Sequence, residues 1–310
     1  MRLDLLAALS GVLIALQARA NGELSHLLNN SIEAALVSFG SGLIIIAVIS
    51  LFHPGIKRGI RNLHSAVTLK RIPRWRLFAG MLGGSFVALQ THIVPLVGVA
   101  IYSVAAIAGQ TAVSLVVDRI GLTGGGVKHI SLRRVLAAVV TVGAVFLSVL
   151  DRLDAANFAP WAVAFAVGAG ALVGVQRALN GQINEFTEQS AATSYLNFIM
   201  GTSFLLVLLI VGTIFNGDEL APLPSGPWWI YTGGVIGVIY IAFTSTIVQH
   251  LGVLTFTMFS VGGNLLGSLL IDIFSPSEGV HISWYLVTGI CVTYIGVLIN
   301  GASVQGKRLK

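Results

Sequence analysis

The chain has 310 residues, of which 55% are apolar and only 10% are charged, and its formal net charge is +6. A soluble globular protein carries roughly 25% charged residues to keep its surface hydrated, so this composition excludes a soluble fold. The mean hydropathy of +0.89 indicates a polytopic membrane protein. The single cysteine, Cys291, excludes an intramolecular disulfide and a cysteine metal cluster.

A membrane-spanning helix needs about 20 mostly apolar residues. The chain contains ten such runs, at about residues 3–24, 32–52, 76–95, 99–117, 133–150, 160–184, 192–214, 228–248, 252–273 and 283–300. The first run ends near Ala18-Arg19-Ala20 and is similar to a secretory signal peptide. We expect it to be retained as a helix, because residues 11–22 recur inside the chain at 170–181.

The ten runs form two copies of a five-helix unit, residues 1–152 and residues 153–310. Gly11, Gln17, Asn21, Phe39 and Gly42 recur as Gly170, Gln176, Asn180, Phe198 and Gly201. Trp75, Gly80, Gly83, Gly109 and Asp118 recur as Trp229, Gly234, Gly237, Gly263 and Asp272. Glycines four residues apart, as in Gly80-x-x-x-Gly84, Gly233-x-x-x-Gly237, Gly170-x-x-x-Gly174 and Gly263-x-x-x-Gly267, predict faces where helices approach closely.

The loops of the two copies carry opposite charge. In the first copy the loop after the second run contains Lys57, Arg58, Arg61, Lys70, Arg71, Arg74 and Arg76, and the loop after the fourth contains Arg119, Lys128, Arg133 and Arg134. The matching loops of the second copy carry Asp218, Glu219 and Glu278 and no lysine or arginine. By the positive-inside rule the basic loops and both termini are cytoplasmic, and the acidic loops are external.

An odd number of helices in each copy inverts the second copy relative to the first. The sequence therefore predicts an all-α membrane protein of ten transmembrane helices, built as two inverted five-helix repeats. This architecture is common in transporters. Because the basic residues lie in loops, the net charge reflects topology and we expect no nucleic-acid partner.

Polar side chains recur inside the first run of each copy. Gln17 and Asn21 are four residues apart and share a helical face, as do Gln176 and Asn180. At 1.5 Å per residue, Gln17 lies roughly 20 Å into a ~30 Å hydrocarbon core. We expect the two amide pairs to converge near the midplane, where they either bind a solute or bond between helices.

Two arginines occupy the same helices as the amides, where a guanidinium costs about 2.5 kcal/mol or more. Arg19 has Glu23 one turn away, which predicts a structural ion pair with a possible gating role. Arg177 has no acid within a turn. It therefore indicates a wet cavity or an anionic ligand, and we count it among the substrate-binding candidates.

Further polar candidates lie in the third, fourth and ninth runs. Gln110 and Asn264 follow the repeated glycine and are candidates for lining the cavity, together with His92. Asp118 and Asp272 end their helices, where a carboxylate is unfavourable for the helix dipole and needs a partner, so we predict a structural or gating role. No acidic residue lies in the middle of a run, so a simple mid-membrane carboxylate exchanging protons for cations is not supported.

These motifs together resemble the drug/metabolite transporter superfamily, specifically its YdcZ-like branch in a fused two-copy form. The resemblance covers nearly the whole chain, and copy two keeps the motifs except that Asn264 replaces Gln110. It implies an inner-membrane carrier with a central cavity lined by the first four helices of each copy, the fifth packing outside. Related multidrug exporters use a glutamate in their first helix, whereas this chain has glutamines there.

The sequence thus predicts a secondary-active transporter that moves a small polar solute or metabolite by alternating access. Its expected partners are that solute and the lipid bilayer, and a homodimer is compatible with the sequence. No phosphate-binding loop is present, and we expect no ATP, cofactor, metal or catalytic residue. A passive channel with the same fold is the alternative; an intramembrane enzyme would need a metal or nucleophile constellation that the spacing does not provide.

Overall fold

The computed structural model describes residues 3–122, 130–152, 159–216, 220–240, 253–276 and 282–305, and within these ranges all regular structure is helical. The helices, in chain order, are α1 (Leu3–Leu28), α2 (Ser31–Phe52), α3 (Pro54–Thr68), α4 (Ala79–Val97), α5 (Val99–Arg119), α6 (Leu132–Val149), α7 (Pro160–Thr187), α8 (Ser190–Asn216), α9 (233–240 in its described part), α10 (Val253–Phe274) and α11 (Trp284–Gln305). Short 3-10 turns, Arg74–Phe78 and Trp228–Tyr231, precede α4 and α9.

Eight of the described helices are long and apolar enough to cross a membrane. They correspond to the first seven predicted runs and the ninth, with ends that agree to within a few residues. The tenth run contains α11, whose apolar stretch Trp284–Ile299 is shorter. The eighth run begins with the 3-10 turn and α9, and from residue 241 it lies outside the described residues.

Helix α3 was not predicted, because the basic segment that contains it was interpreted as a loop. Pro54 starts the helix at a position where a missing N–H costs nothing. Ile56, Gly59, Leu63 and Ala66 form a buried stripe at helical spacing, while the lysine and arginines between them are exposed. Apolar spacing of this kind is typical of a helix lying along a surface, which is how α3 packs on α7 and α8.

Only Gly98 separates α4 from α5. Its φ of 86° is accessible to glycine at low cost, and its N–H still donates to the Val94 carbonyl at 2.9 Å. Pro95, one residue after Val94, lacks the N–H that would continue the helical ladder. Every residue from 99 to 108 is then buried, so α5 is a central helix of the bundle.

The first and fourth helices of each copy cross those of the other copy at glycines. α1 packs on α10, and α7 packs on α5. A Cβ atom at any of four glycines would overlap a backbone carbonyl of the partner helix: Gly11 with Ser260, Gly170 with Ala106, Gly263 with Ala8, and Gly109 with Val167. The first two contacts are equivalent when the copies are exchanged, and so are the last two. This confirms the predicted close approach at Gly170 and Gly263.

The second helices of the two copies also meet each other. The rings of Phe39 and Phe198 lie 5.5 Å apart between centroids. Gly42 packs against the Phe198 ring, and Gly201 packs against the Phe39 ring. The repeated Phe-x-x-Gly motif is therefore a reciprocal ring-on-glycine contact between α2 and α8. The fifth helices, α6 and α11, form a further pair.

The two long connectors lie at opposite ends of α2. At the Phe52 end, α3 packs on the corner between α7 and α8, with Gly59 against Ala192. At the Ser31 end, the segment 220–231 packs on the corner between α1 and α2, where the Ala221 N–H donates to Glu33 Oε2 at 3.4 Å. The basic connector and the segment that follows the acidic residues are therefore separated by the length of a spanning helix.

Candidate functional site

The amides of the first copy form a group of Gln17, Asn21 and Gln90, which we call the first amide group and in which Gln17 is half-buried. Gln17 Nε2 donates to the Gly233 carbonyl of α9 at 2.9 Å. Asn21 Nδ2 donates to Gln90 Oε1 at 3.4 Å. Both Asn21 and Gln90 are almost fully buried, yet Asn21 Oδ1 and Gln90 Nε2 have no hydrogen-bond partner among the described residues. Buried polar atoms normally find partners, so these two atoms have unused bonding capacity.

The amides of the second copy form a group of Gln176, Asn180 and Asn197, the second amide group. Gln176 Nε2 donates to Asn197 Oδ1 at 3.1 Å, and Asn197 Nδ2 donates to Asn180 Oδ1 at 2.8 Å. Sequence reasoning missed Asn197, whose counterpart in the first copy is Ser38. A lone amide inside the apolar run 192–214, directly before the repeated phenylalanine, was the available signal.

Each opening-helix glutamine lies against the third helix of the other copy. The side chain of Gln17 borders Gly237 of α9, and that of Gln176 borders Gly83 of α4. The Phe198 ring also borders Gly237, so the Phe39–Phe198 ring pair lies beside the first amide group. Phe198 is also the residue directly after Asn197, which belongs to the second amide group. These contacts bring helices of both copies together around the amides.

The two amide groups differ in how far they are covered. In the first copy Ala18, Asn21 and Gly22 are buried, and a Cβ at Gly22 would meet the Val94 side chain at 2.8 Å. In the second copy the equivalent residues are Arg177, which is exposed, Asn180, which is partly exposed, and Gly181, which is exposed and has no atom of the described residues within 4 Å of its Cβ position. Among the residues that the structure describes, the second amide group is therefore open on a face where the first is sealed; Val248, the counterpart of Val94, lies outside them.

Arg177 and Gln110 are in direct contact across the α5–α7 crossing. The Arg177 guanidinium donates from Nη1 to Gln110 Oε1 at 2.8 Å. The equivalent position to Arg177 in the first copy is Ala18, so the cation is not repeated. Asn264, the counterpart of Gln110, instead accepts a long hydrogen bond from Ser103 at 3.5 Å.

Arg19 forms the ion pair that its spacing from Glu23 predicts. The Nη1–Oε2 distance is 2.8 Å, and Nη2 also donates to Ser275 at the end of α10 at 3.2 Å. The guanidinium lies 5.8 Å from the ring centroid of Trp229. These contacts join one end of α1 to α10 and to the turn before α9.

Asp272 has the specific partner that its position required. Its two carboxylate oxygens accept the backbone N–H groups of Val99 and Ala100 at 3.0 and 2.7 Å. The carboxylate thus caps the first turn of α5, where a negative charge is favourable for the helix dipole. The side chain of Asp118, its counterpart, lies outside the described residues.

His92 is not brought to either amide group. Its exposed ring lies 5.8 Å from the ring of Trp161 between centroids, and Trp161 in turn contacts Phe165. Gln90, two residues earlier on α4, points to the first amide group instead. The sequence could not separate these two side chains, because both lie on the same turn of an apolar helix.

Comparisons with known proteins agree with this architecture. The profile of the family described as "Putative inner membrane exporter, YdcZ" matches the chain twice, over residues 3–147 and 161–299. A solved structure titled "Crystal structure of protein" shares the fold, with a TM-score of 0.55 at 15% identity over 99% of this chain and 97% of that chain. No curated protein matches. The chain is an integral inner-membrane protein with multiple membrane-spanning helices, and it belongs to the YdcZ family of membrane exporters.

Proposed function

We propose that the protein is a secondary-active carrier whose two five-helix halves, inserted in opposite orientations, expose a polar site to one side of the membrane at a time. The observation that carries this proposal is the difference between equivalent positions. Ala18, Asn21 and Gly22 are sealed, whereas Arg177, Asn180 and Gly181 are open. In an inverted pair, equivalent faces look toward opposite sides of the membrane.

Alternating access then consists of exchanging the sealed environment of the first amide group with the open environment of the second. The crossings of α1 with α10 and of α7 with α5 are equivalent contacts, so either half can take the packing that the other has now. The sealed half in the alternative state would be the second one, with its amides buried and those of the first half open. A channel open at both ends would instead leave both amide groups accessible at once.

The charges of the connectors support the orientation. Ten crossings with both termini in the cytoplasm leave the basic α3 connector inside and the segment 220–231 outside. These segments lie at opposite ends of α2, as this topology requires. Helix α7 runs toward the side of the membrane at which the basic α3 connector lies. The open amide group on α7 therefore faces the cytoplasm. The family's description as an exporter favours movement outward from that state.

Cysteine accessibility tests the alternation directly. In a Cys291→Ala background, Asn180→Cys and Asn21→Cys are matched substitutions at equivalent positions. We expect a membrane-impermeant thiosulfonate to modify the Asn180 variant from the cytoplasmic side and to leave the Asn21 variant largely unmodified. Equal modification of both variants from the same side would contradict alternating access and favour a channel.

Labelling at the connectors tests the topology separately. Ser65 in α3 and Ser225 before the Trp228 turn are both exposed. A cysteine at Ser225 should react in intact cells, and one at Ser65 only after the membrane is opened. The opposite pattern would reverse the orientation without affecting the fold.

The amides are the proposed solute contacts, and they are tested by Gln17→Leu and Gln176→Leu. Transport is measured in proteoliposomes as counterflow of candidate metabolites, with and without a pH gradient. A carrier shows saturable uptake and counterflow, and we expect either change to weaken solute affinity. Unchanged affinity in both variants would assign the amides to packing alone.

A further inference from the structure

The Arg177 guanidinium carries a positive charge that no acidic side chain among the described residues neutralises. Among the described residues its one hydrogen bond is to the neutral Gln110 amide, and no carboxylate of these residues lies within ion-pair distance of it. Arg177 stands ten residues before the end of α7 at Thr187, roughly 15 Å along the helix axis. An uncompensated arginine at such a depth costs about 2.5 kcal/mol or more, so it persists where it has a function.

The Arg177 side chain is exposed, and it lies on the face of α7 that packs against α5. On α7 Arg177 lies about 180° around the helix from Gly168, which is exposed and has no described neighbour near its Cβ position. The equivalent residue of the first copy, Ala18, belongs to the main apolar core. Since side chains on a helix lean toward its N-terminus, the guanidinium reaches back to Gln110 and away from the nearer membrane surface.

Arg19 provides the internal comparison. It lies in the equivalent helix but is neutralised by Glu23 at 2.8 Å and bonded to Ser275. Arg19 therefore needs no further anion. Within the described part of the chain, Arg19 has a carboxylate partner, whereas Arg177, on the open side of the amide groups, has none.

We propose that Arg177 binds the carboxylate of the transported solute, with Gln110 orienting the guanidinium. This inference rests on the proposed carrier function and specifies its substrate class as small organic monocarboxylates. The planar guanidinium matches a carboxylate through two parallel N–H donors. One carboxylate also cancels one guanidinium charge, whereas a phosphate, at about −1.5 to −2, would carry a net negative charge into the membrane.

The neighbouring second amide group completes the site. Asn180 follows Arg177 by three residues on α7 and is partly exposed on the same open side. Its amide already bonds Asn197, which fixes its orientation. The solute's remaining polar groups meet this amide while its carboxylate meets Arg177.

Binding is measured without any need for transport. The purified protein is unfolded by heat while its tryptophan fluorescence is followed, with lactate or lactamide, benzoate or benzamide, and nicotinate or nicotinamide present. Inorganic phosphate is a further probe. We expect at least one acid to raise the unfolding midpoint more than its uncharged amide. Arg177→Gln should weaken that binding roughly tenfold or more, since it removes charge-assisted hydrogen bonds.

Arg19→Gln is the matched control, because it removes an equally deep arginine that already has an acid. Each midpoint shift is taken against the same variant without solute, so a lower basal stability does not affect the comparison. The acid-specific shift should persist in Arg19→Gln and be lost in Arg177→Gln. Gln110→Leu should give an intermediate loss.

The proposal is overturned if no acid stabilises the wild type more than its amide, or if the shift survives Arg177→Gln. A phosphate shift as large as the best acid's would overturn the assignment to a carboxylate. Carboxylate binding without counterflow would remove the carrier function and leave this site standing. Counterflow of an uncharged solute that Arg177→Gln does not affect would support the carrier function and remove the carboxylate site.

Discussion

The glycine crossings that join the two copies give the sharpest stability prediction. At Gly170 a Cβ atom would overlap the carbonyl oxygen of Ala106, and it would also lie 2.6 and 2.7 Å from that residue's backbone carbon atoms. These are backbone atoms, so no side chain can rotate away, and α5 and α7 must separate. Gly168, two residues earlier on α7, has no atom of the described residues within 4 Å of its Cβ position.

Gly170→Ala and Gly168→Ala are therefore a matched pair. Alanine favours the helix by about 0.5–1 kcal/mol at both positions, so that contribution cancels. The difference is the overpacking cost, typically about 1–3 kcal/mol, and a backbone contact places it at the upper end. A loss of about 3 kcal/mol corresponds to roughly a hundredfold change in the unfolding equilibrium.

The measurement is reversible unfolding by SDS in mixed micelles, followed by tryptophan fluorescence. Gly170→Ala should be less stable than the wild type, and Gly168→Ala should equal or exceed it. Gly11→Ala, at the equivalent crossing with Ser260, should match Gly170→Ala. Equal stabilities for the Gly168 and Gly170 variants would refute the idea that these crossings hold the halves together.

Two further contacts predict measurable losses of stability. Asp272→Ala removes a buried acceptor from two N–H groups at the start of α5, and we expect unfolding in SDS to become easier by about 2–4 kcal/mol, with Asp272→Asn losing less. An Asp272→Asn variant as stable as the wild type would show that the charge is unimportant, and an Asp272→Ala variant as stable as the wild type would contradict the cap itself. Asn30 accepts the N–H groups of Ile32 and Glu33 at 3.1 Å, so Asn30→Ala should cost about 1 kcal/mol in the same assay. Asn30→Asp retains the acceptor and should keep the wild-type stability.

The membrane fold follows from the sequence because apolar length and loop charge are local properties. A run such as 32–52 has only one stable form in lipid, since every backbone polar group must be satisfied within the segment. The repeat also identified the glycines at the crossings, because Gly11 is equivalent to Gly170 and Gly109 is equivalent to Gly263. The partners of those glycines were beyond the sequence, because crossing contacts join residues of different copies.

Helix α3 and Asn197 show why parts of the structure were missed. The basic residues of α3 dominated the interpretation as a loop, although Ile56, Gly59, Leu63 and Ala66 have helical spacing. Asn197 has no amide counterpart in the first copy, so a search based on the repeat passed over it. His92 was included for the opposite reason: a polar residue in a run is conspicuous whichever way its side chain points.

The sequence by itself determined an all-helical membrane protein of two copies, the amide pairs of the opening helices, and the arginine that lacks a nearby acid. These depend on composition, spacing and repetition along one chain. Only the tertiary structure decided that the first amide group is sealed and the second open, and that Arg177 meets Gln110. The physical reason is that two copies with the same motifs and the same apolar pattern favour similar local structure. Which copy is covered depends on how whole helices pack across the bundle, and no single segment encodes that.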